Sequence, residues 1–579
     1  MLEFIQLLNQ RYQTVLTQAG NDANQAHYQH CIDQLLLAEA FLRKGQLLGL
    51  ATAQPLHIAI VGPTQAGKSS LANVLLGIAL AGVSPLAGYT VHPHGYCVGL
   101  NANDCLGLQR YFGRFQQLPA AQLSRDRLDS YSLTETSVLS TLMPTGVLWD
   151  TPDFDSIDSA TYQEGVLRTI ALADIIILVV SKEKYADQSV WDMMATLEAL
   201  QQPTLICLNK LHEGSEALLI ASLQEKWQQA RSDAFPQIIP LYYHKATGLP
   251  EWPASQQQAL MHLAHSVNHK KHSRHAQALL QRHWHQWLAP VVAEHHALSD
   301  WQRLVALGME QALEHYQHDY LNHPRHYETF QQALAELLTL LEVPGLAGIL
   351  GNTRKVLTWP VKQLLKLGKK KAHIADSSQE LIVLNQIAEH LLIQLADQLM
   401  DKADQHQQRL WWKDLSGLLR RQRPALLQAF GDAAKHYHIG FSDEVEKTAQ
   451  RLYHKLQEQP LVLNSLRATR VTTDAAAIAL SLQLGGIGLS DLVFAPAMLT
   501  LTSLLAESAL GSYLQKLEAE LKRQQHDTVK QQLFTNGLAK QLLALPEQLP
   551  TLTHFNISTA QLQAAELQLT DKRHGLRIL

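Results

Sequence analysis

The sequence predicts an α/β domain with a mostly parallel sheet and helices on both faces, preceded by a helical arm and followed by a large α-helical bundle. Three observations carry this. Between Leu56 and about Leu263, six short apolar runs alternate with amphipathic stretches, the pattern of strands joined by helical crossovers. The first run leads straight into a glycine-rich loop and then a helical pattern. Beyond Leu263 the apolar residues recur at three- and four-residue spacing, as bundle helices require. The expected divisions are a helical arm over 1–54, the α/β domain over 55–264 and the helical half over 265–579.

The 579 residues are 46% apolar and 17% charged, enough to bury large cores in roughly three or four domains. A net charge of −4 argues against a nucleic-acid partner. Cys31, Cys97, Cys105 and Cys207 lie too far apart for a C-x-x-C pair, which fits a reduced, cytoplasmic compartment. The first residues lack a basic segment followed by an apolar core, so no signal peptide is read. The 29 histidines are dispersed and form no H-E-x-x-H.

In the arm, Leu35-Leu-Leu, Ala38, Phe41 and Leu42 make one apolar face. The six predicted strands are His57–Val61, Gly95–Leu100, Gly146–Trp149, Asp174–Val180, Thr204–Leu208 and Ile238–Tyr243. Ligands of such sheets sit at the carboxyl ends of the strands. There the first strand runs into Gly62-Pro63-Thr64-Gln65-Ala66-Gly67-Lys68-Ser69-Ser70, which fits G-x-x-x-x-G-K-[ST]. The glycines let backbone N–H groups turn around a phosphate chain, Lys68 reaches the β- and γ-phosphates, and the Ser69 hydroxyl is a ligand for Mg²⁺. The following helix points its positive end at the anion. A turn that binds nothing is the alternative.

The third strand ends in Asp150-Thr-Pro-Asp153-Phe154-Asp155, placing a carboxylate where Mg²⁺ would be held through water; an ordinary strand-end residue is the alternative, and its order after the glycine-rich loop favours the first. Thr90, in the loop Gly88-Tyr-Thr90-Val-His-Pro93, is placed to close over a γ-phosphate and complete the metal shell, unless this is a plain surface loop. Asn209-Lys210-Leu-His212 follows the fifth strand.

These four motifs, in this order, resemble those of translation-factor-class GTPases. The GKSS ending, the Thr-x-x-Pro loop, the helical arm and the long helical C-terminal half look most like the dynamin-like branch. The motif resemblance covers about residues 35–265. It implies that GTP and GDP are the ligands, with residues 62–70, Asp150, Asp153, Asn209, Lys210 and His212 around the nucleotide. It further implies Mg²⁺ held by Ser69, Thr90 and Asp150, and catalytic parts for Lys68, Gln65 and Thr90. Gln65 lies where potassium-activated relatives carry a cation-binding Asn, so K⁺ and a dimer partner are candidates for its assistance; a solvent-facing loop glutamine is the alternative.

Three positions depart from the family pattern. His212, with Glu213 beside it, replaces the carboxylate that reads guanine, a loss of roughly 1–3 kcal/mol in discrimination by analogy with base readout. Asp153 replaces a glycine whose N–H meets the γ-phosphate, putting a carboxylate beside a triphosphate. Phe154 stands where many relatives have a water-orienting glutamine. His244-Lys245-Ala246-Thr247 is a weak candidate for flanking the base. Asn101–Thr145 is longer than a hairpin needs and reads as a polar insertion on the sheet edge.

In the helical half, Trp411-Trp412 reads as core or bundle end, with a ligand platform as the alternative. Residues 343–371 combine a glycine-rich apolar lead with basic residues and Trp359, which suits an anionic membrane surface or a solvated helix face. Residues 475–514 form two apolar halves, each shorter than the roughly 20 residues a span needs; buried core, membrane dipping and self-association are the options. The expectation is a cytoplasmic GTPase, peripheral at the inner membrane, that couples GTP hydrolysis to membrane contact or self-assembly. The alternatives are a soluble protein-binding switch with little turnover and a P-loop ATPase.

Overall fold

The computed structural model describes residues 1–18, 25–50, 54–83, 89–155, 159–211, 214, 216–230, 234–243, 250–323, 379–405, 409–458, 511–550 and 553–570. Outside these lie His212, Glu213, the segment 244–247, the whole of 343–371, and residues 475–510 of the second apolar stretch. The chain forms two compact units, one of residues 1–292 together with 551–579, the other of 293–550.

The first unit is built on a nine-stranded sheet. Its strands are β1 (Leu56–Val61), β2 (His94–Val98), β3 (Gln116–Gln117), β4 (Ser130–Glu135), β5 (Gly146–Asp150), β6 (Ile175–Ser181), β7 (Thr204–Leu211), β8 (Gln237–Tyr243) and β9 (Pro250–Glu251). The spatial order is β3-β4-β2-β5-β1-β6-β7-β8-β9. Pairing is parallel except between β2 and β5 and between β8 and β9. β6 is buried along its whole length, which is why Ile175–Val180 reads as a continuous apolar run and not an alternating one. The insertion 101–145 supplies β3 and β4 and so extends one edge of the sheet.

Helices cover both faces because each strand turns alternate side chains to opposite sides. Ile58 and Ile60 of β1 pack with Leu71 and Leu75 of α3 (Lys68–Leu76) and Leu260 of α8 (Ala259–Ser266). Ala59 and Val61 face the other layer, with α1 (Leu2–Gln18), α2 (Gln25–Leu48), α4 (Leu108–Phe112), α5 (Ser159–Leu172), the start of α9 (His272–Tyr316) and the terminal α14 (Thr559–Thr570). A third cluster joins β6 and β7 to α6 (Gln188–Leu200) and α7 (Glu216–Ala230).

Polar contacts lock these helices to the sheet. Lys44 of α2 lies 2.7 Å from Asp174, which also accepts from the His57 N–H at 2.9 Å and pairs with His269 at 3.0 Å. The His272 ring donates to the Phe41 carbonyl at 2.9 Å, and Tyr12 donates to that of Trp287 at 2.8 Å. These contacts move the expected boundaries. The arm is not separate from the α/β domain, and the segment carrying His269 and His272 is docked on it, so the first unit runs on to Val292 and includes the described part of 551–579.

The second unit is helical, with the remainder of α9, α10 (Gln379–Gln405), α11 (Arg409–Gln457), α12 (Gly511–Val529), a π-helical stretch (Lys530–Ala539) and α13 (Lys540–Leu543) around one apolar core. Trp411 and Trp412 are buried in it, rings 4.8 Å apart and edge to face. At its centre the Glu380 carboxylate accepts from Tyr316, Tyr437, Gln525 and His438 at 2.7–3.0 Å. Among the described residues no helix is long and apolar enough to cross a membrane.

Candidate functional site

The site lies at the carboxyl ends of β1 and β5, where the chain leaves the sheet in two adjacent loops. The first, 62–67, starts α3 without a side-chain cap, since Gly67 at the N-cap has no side chain. The first amides of that helix therefore have no intrahelical acceptor and face the loop, as an anion-binding helix start requires. Glycine is needed at both ends of this loop. A Cβ on Gly62 would stand 2.5 Å from the Val179 carbonyl oxygen, and one on Gly67 would stand 2.3 Å from the Asn209 side-chain nitrogen. Gly67 also has φ +92°, a conformation other residues rarely adopt.

Asn209 braces the loop from β7, donating to the Ala66 carbonyl at 2.8 Å while its oxygen accepts from the Lys210 N–H at 2.8 Å. Gln65 is exposed with φ +59°, and Lys210 adopts the same φ.

Lys68 is buried and its Nζ donates to the carbonyls of Gly62 at 3.0 Å and Pro63 at 3.3 Å. It also forms an ion pair with the Asp153 carboxylate. The Ser69 hydroxyl donates to Asp150 Oδ2 at 2.7 Å. Asp150 is buried and its other oxygen, Oδ1, has no hydrogen-bond partner. Burial raises its pKa to about 6, against the pull of the Ser69 hydrogen bond and the Lys68 charge. A buried carboxylate with an unsatisfied oxygen beside a serine hydroxyl fits a hydrated divalent cation, which would supply the missing positive partner. Among the described residues no cluster of three or more His, Cys, Asp or Glu forms an all-protein metal site.

The second loop, 150–155, is fixed at its root by Thr151, whose hydroxyl donates to the Ile60 carbonyl at 2.7 Å. Phe154 is partly buried and packs both on the cluster shared by the arm and α5 and on the cluster that joins β6 and β7 to α6 and α7. Asp155 was given no part by the sequence, yet its carboxylate accepts from both the backbone N–H and the hydroxyl of Thr64 and pairs with Lys184 at 2.8 Å. Burial opposes its charge, but the Lys184 and Thr64 contacts outweigh this and hold its pKa below the usual carboxylate range. The one local hint was a third acidic residue in a loop already carrying two.

The structure thus brings Gly62–Ser69, Asp150, Asp153 and Asn209 together. Thr90 lies half-buried before β2, and nothing among the described residues joins it to Ser69 or Asp150. His212 falls outside the described residues.

Residues 57–210 match the family model of the 50S ribosome-binding GTPases. The chain carries a P-loop GTPase domain. The match spans the strands from β1 to β7 and includes Gly62–Ser69, Asp150, Asp153, Asp155, Asn209 and Lys210, and stops short of His212. No curated protein matches the chain. Among solved structures, two of an oligomerised bacterial dynamin pair, described as a mechanism for long-range sensing and tethering of membranes, align along most of their length. One covers 94% of this chain and 92% of that chain at 11% identity and a TM-score of 0.36; the other covers 89% and 91% at 12% identity and 0.32. At such scores the likeness carries no argument about this chain.

Proposed function

We propose that this chain hydrolyses GTP to GDP and phosphate and couples its nucleotide state to membrane contact or self-assembly, as dynamin-like proteins do. The observation that carries the reading is the pairing of Ser69 with a buried Asp150 that keeps one oxygen unsatisfied, next to Lys68 at the start of α3. Mg²⁺, when bound with GTP, would neutralise charge developing on the phosphates. The rest falls to the protein. Lys68 and the amides of 64–69 stabilise the phosphate oxygens, Asp150 holds the cation's water shell, and Thr90 closes over the γ-phosphate. Gln65, with K⁺ and a second copy of the domain, would assist where Phe154 cannot.

The dynamin-like assignment rests on the motif order, the helical arm and the long helical half, with a peripheral location at an anionic membrane suggested by the composition of 343–371 and 475–514. A second reading, a soluble GTP-dependent protein-binding switch with little turnover, is favoured by Phe154, whose packed apolar ring cannot orient water. Binding and turnover of GTP against ATP, with and without anionic liposomes and potassium, decide between them. GTP preference with liposome-stimulated turnover supports the first reading, and turnover that falls in Gln65→Ala supports the glutamine's part. Tight GTP binding with neither turnover nor lipid response supports the switch. ATP preference overturns both.

A further inference from the structure

Two carboxylates of the 150–155 loop occupy groups of the phosphate loop that a triphosphate would need. Asp153 pairs with Lys68, and Asp155 accepts from the N–H and the hydroxyl of Thr64. Both acceptors are anionic oxygens presented to a lysine and a backbone amide, the chemistry a phosphate presents. We infer that this loop is a built-in competitor for the polyphosphate chain, and that nucleotide enters only when residues 153–155 withdraw. The inference rests on the nucleotide-binding reading above and adds a regulatory contact to it.

Coulomb's law leaves little choice. Asp153 is mostly buried, so its charge beside a triphosphate would be repelled in a poorly screened setting, and Lys68 cannot serve both anions fully. The loop also has room to move. A cavity of about 470 Å³ adjoins it within the first unit, lined by Asp153 and Phe154 from the loop and by residues such as Gln163 of α5, Met193 of α6 and Leu279 of α9. Phe154 sits between the two carboxylates, so their release moves its ring as well. The cavity and the apolar groups that Phe154 touches would then change with nucleotide occupancy.

The test is equilibrium binding of GTP and of tripolyphosphate to the full chain, comparing wild type with Asp153→Asn and Asp153→Gly, and Lys68→Ala as the control without the lysine. If the withdrawn loop is populated at about one part in ten or less, removing the competing charge tightens apparent binding by about tenfold or more. The same factor is expected for tripolyphosphate, because the competition concerns phosphate and not base. Thermal melting of each variant checks that it folds, and the glycine variant repeats the test without a side chain. Binding in the variants but not in wild type supports the inference in its strongest form. Wild-type binding that Asp153→Asn and Asp153→Gly leave equal or weaker overturns it while the nucleotide-binding reading stands. No binding to wild type or either variant overturns both.

Discussion

The two ends of the sheet treat buried carboxylates in opposite ways. At the amino end of β6, Asp174 is enclosed by Lys44, His269 and the His57 N–H, and although burial opposes its charge these partners hold its pKa far below the usual range. At the carboxyl end of β5, Asp150 has one serine hydroxyl and an oxygen without a partner, and burial raises its pKa to about 6. The difference separates structure from function. A satisfied buried charge fastens helices to the sheet, whereas an unsatisfied one is what the proposed function would use to hold a cation's water shell.

The sharpest way to break the comparison is at the amino end. Lys44→Met strips Asp174 of its main partner and should lower the unfolding free energy by about 3–5 kcal/mol, measured by denaturant titration. Equal stability would mean that His269 alone suffices.

At the other end the sign reverses. Because Asp150 has a folded pKa raised from 3.8 to about 6, its contribution to stability is fully present below pH 3.8 and is lost as pH rises through 6. Asp150→Asn should therefore melt higher than wild type above pH 7 in the absence of nucleotide, by up to about 3 kcal/mol, with the difference vanishing below pH 4. The same variant should lose the magnesium dependence of GTP binding.

A pH profile of wild-type stability tests both ends together. Burial lowers the pKa of His57 to about 4 and of His272 to about 3 from the ordinary 6.5. Groups kept neutral in this way stabilise fully above pH 6.5 and lose that contribution as pH falls toward 4 and 3, while Asp150 works against the trend. Scans at successive pH values should show melting fall below pH 6.5, and more steeply in Asp150→Asn than in wild type. A smaller stability effect, roughly 1–3 kcal/mol, is expected for Gly67→Ala, which forces a Cβ against Asn209 at a positive φ. Its GTP binding should nevertheless be lost, a separation that calorimetric binding and melting would reveal.

Much of the site was legible in the sequence because its chemistry is local. The loop from Gly62 to Ser69 is a contiguous run between a strand and a helix, and Asp150 ends an apolar strand. The six strands were legible for the same reason, since a fully buried parallel strand such as β6 is apolar throughout. What could not be read depends on residues far apart in the chain. Lys44 meets Asp174, and Thr64 meets Asp155, only after folding. The strands β3 and β4 were hidden in a polar insertion, because β3 is a two-residue edge strand and β4 buries the polar Ser130 and Ser132, so neither gives a continuous apolar signal. The compact units differ from the expected divisions because His269 and His272, beyond the last predicted strand, find partners at the sheet and on α2, contacts that no local pattern announces.

The sequence by itself determined the phosphate loop, the carboxylate that ends the third predicted strand and the α/β-then-helical order, since each follows from residue type and short-range spacing. Only the tertiary structure decided which carboxylates are satisfied. Asp150, Asp153, Asp155 and Asp174 are the same residue type, and their partners Ser69, Lys68, Thr64 and Lys44 are brought to them only through the folded sheet.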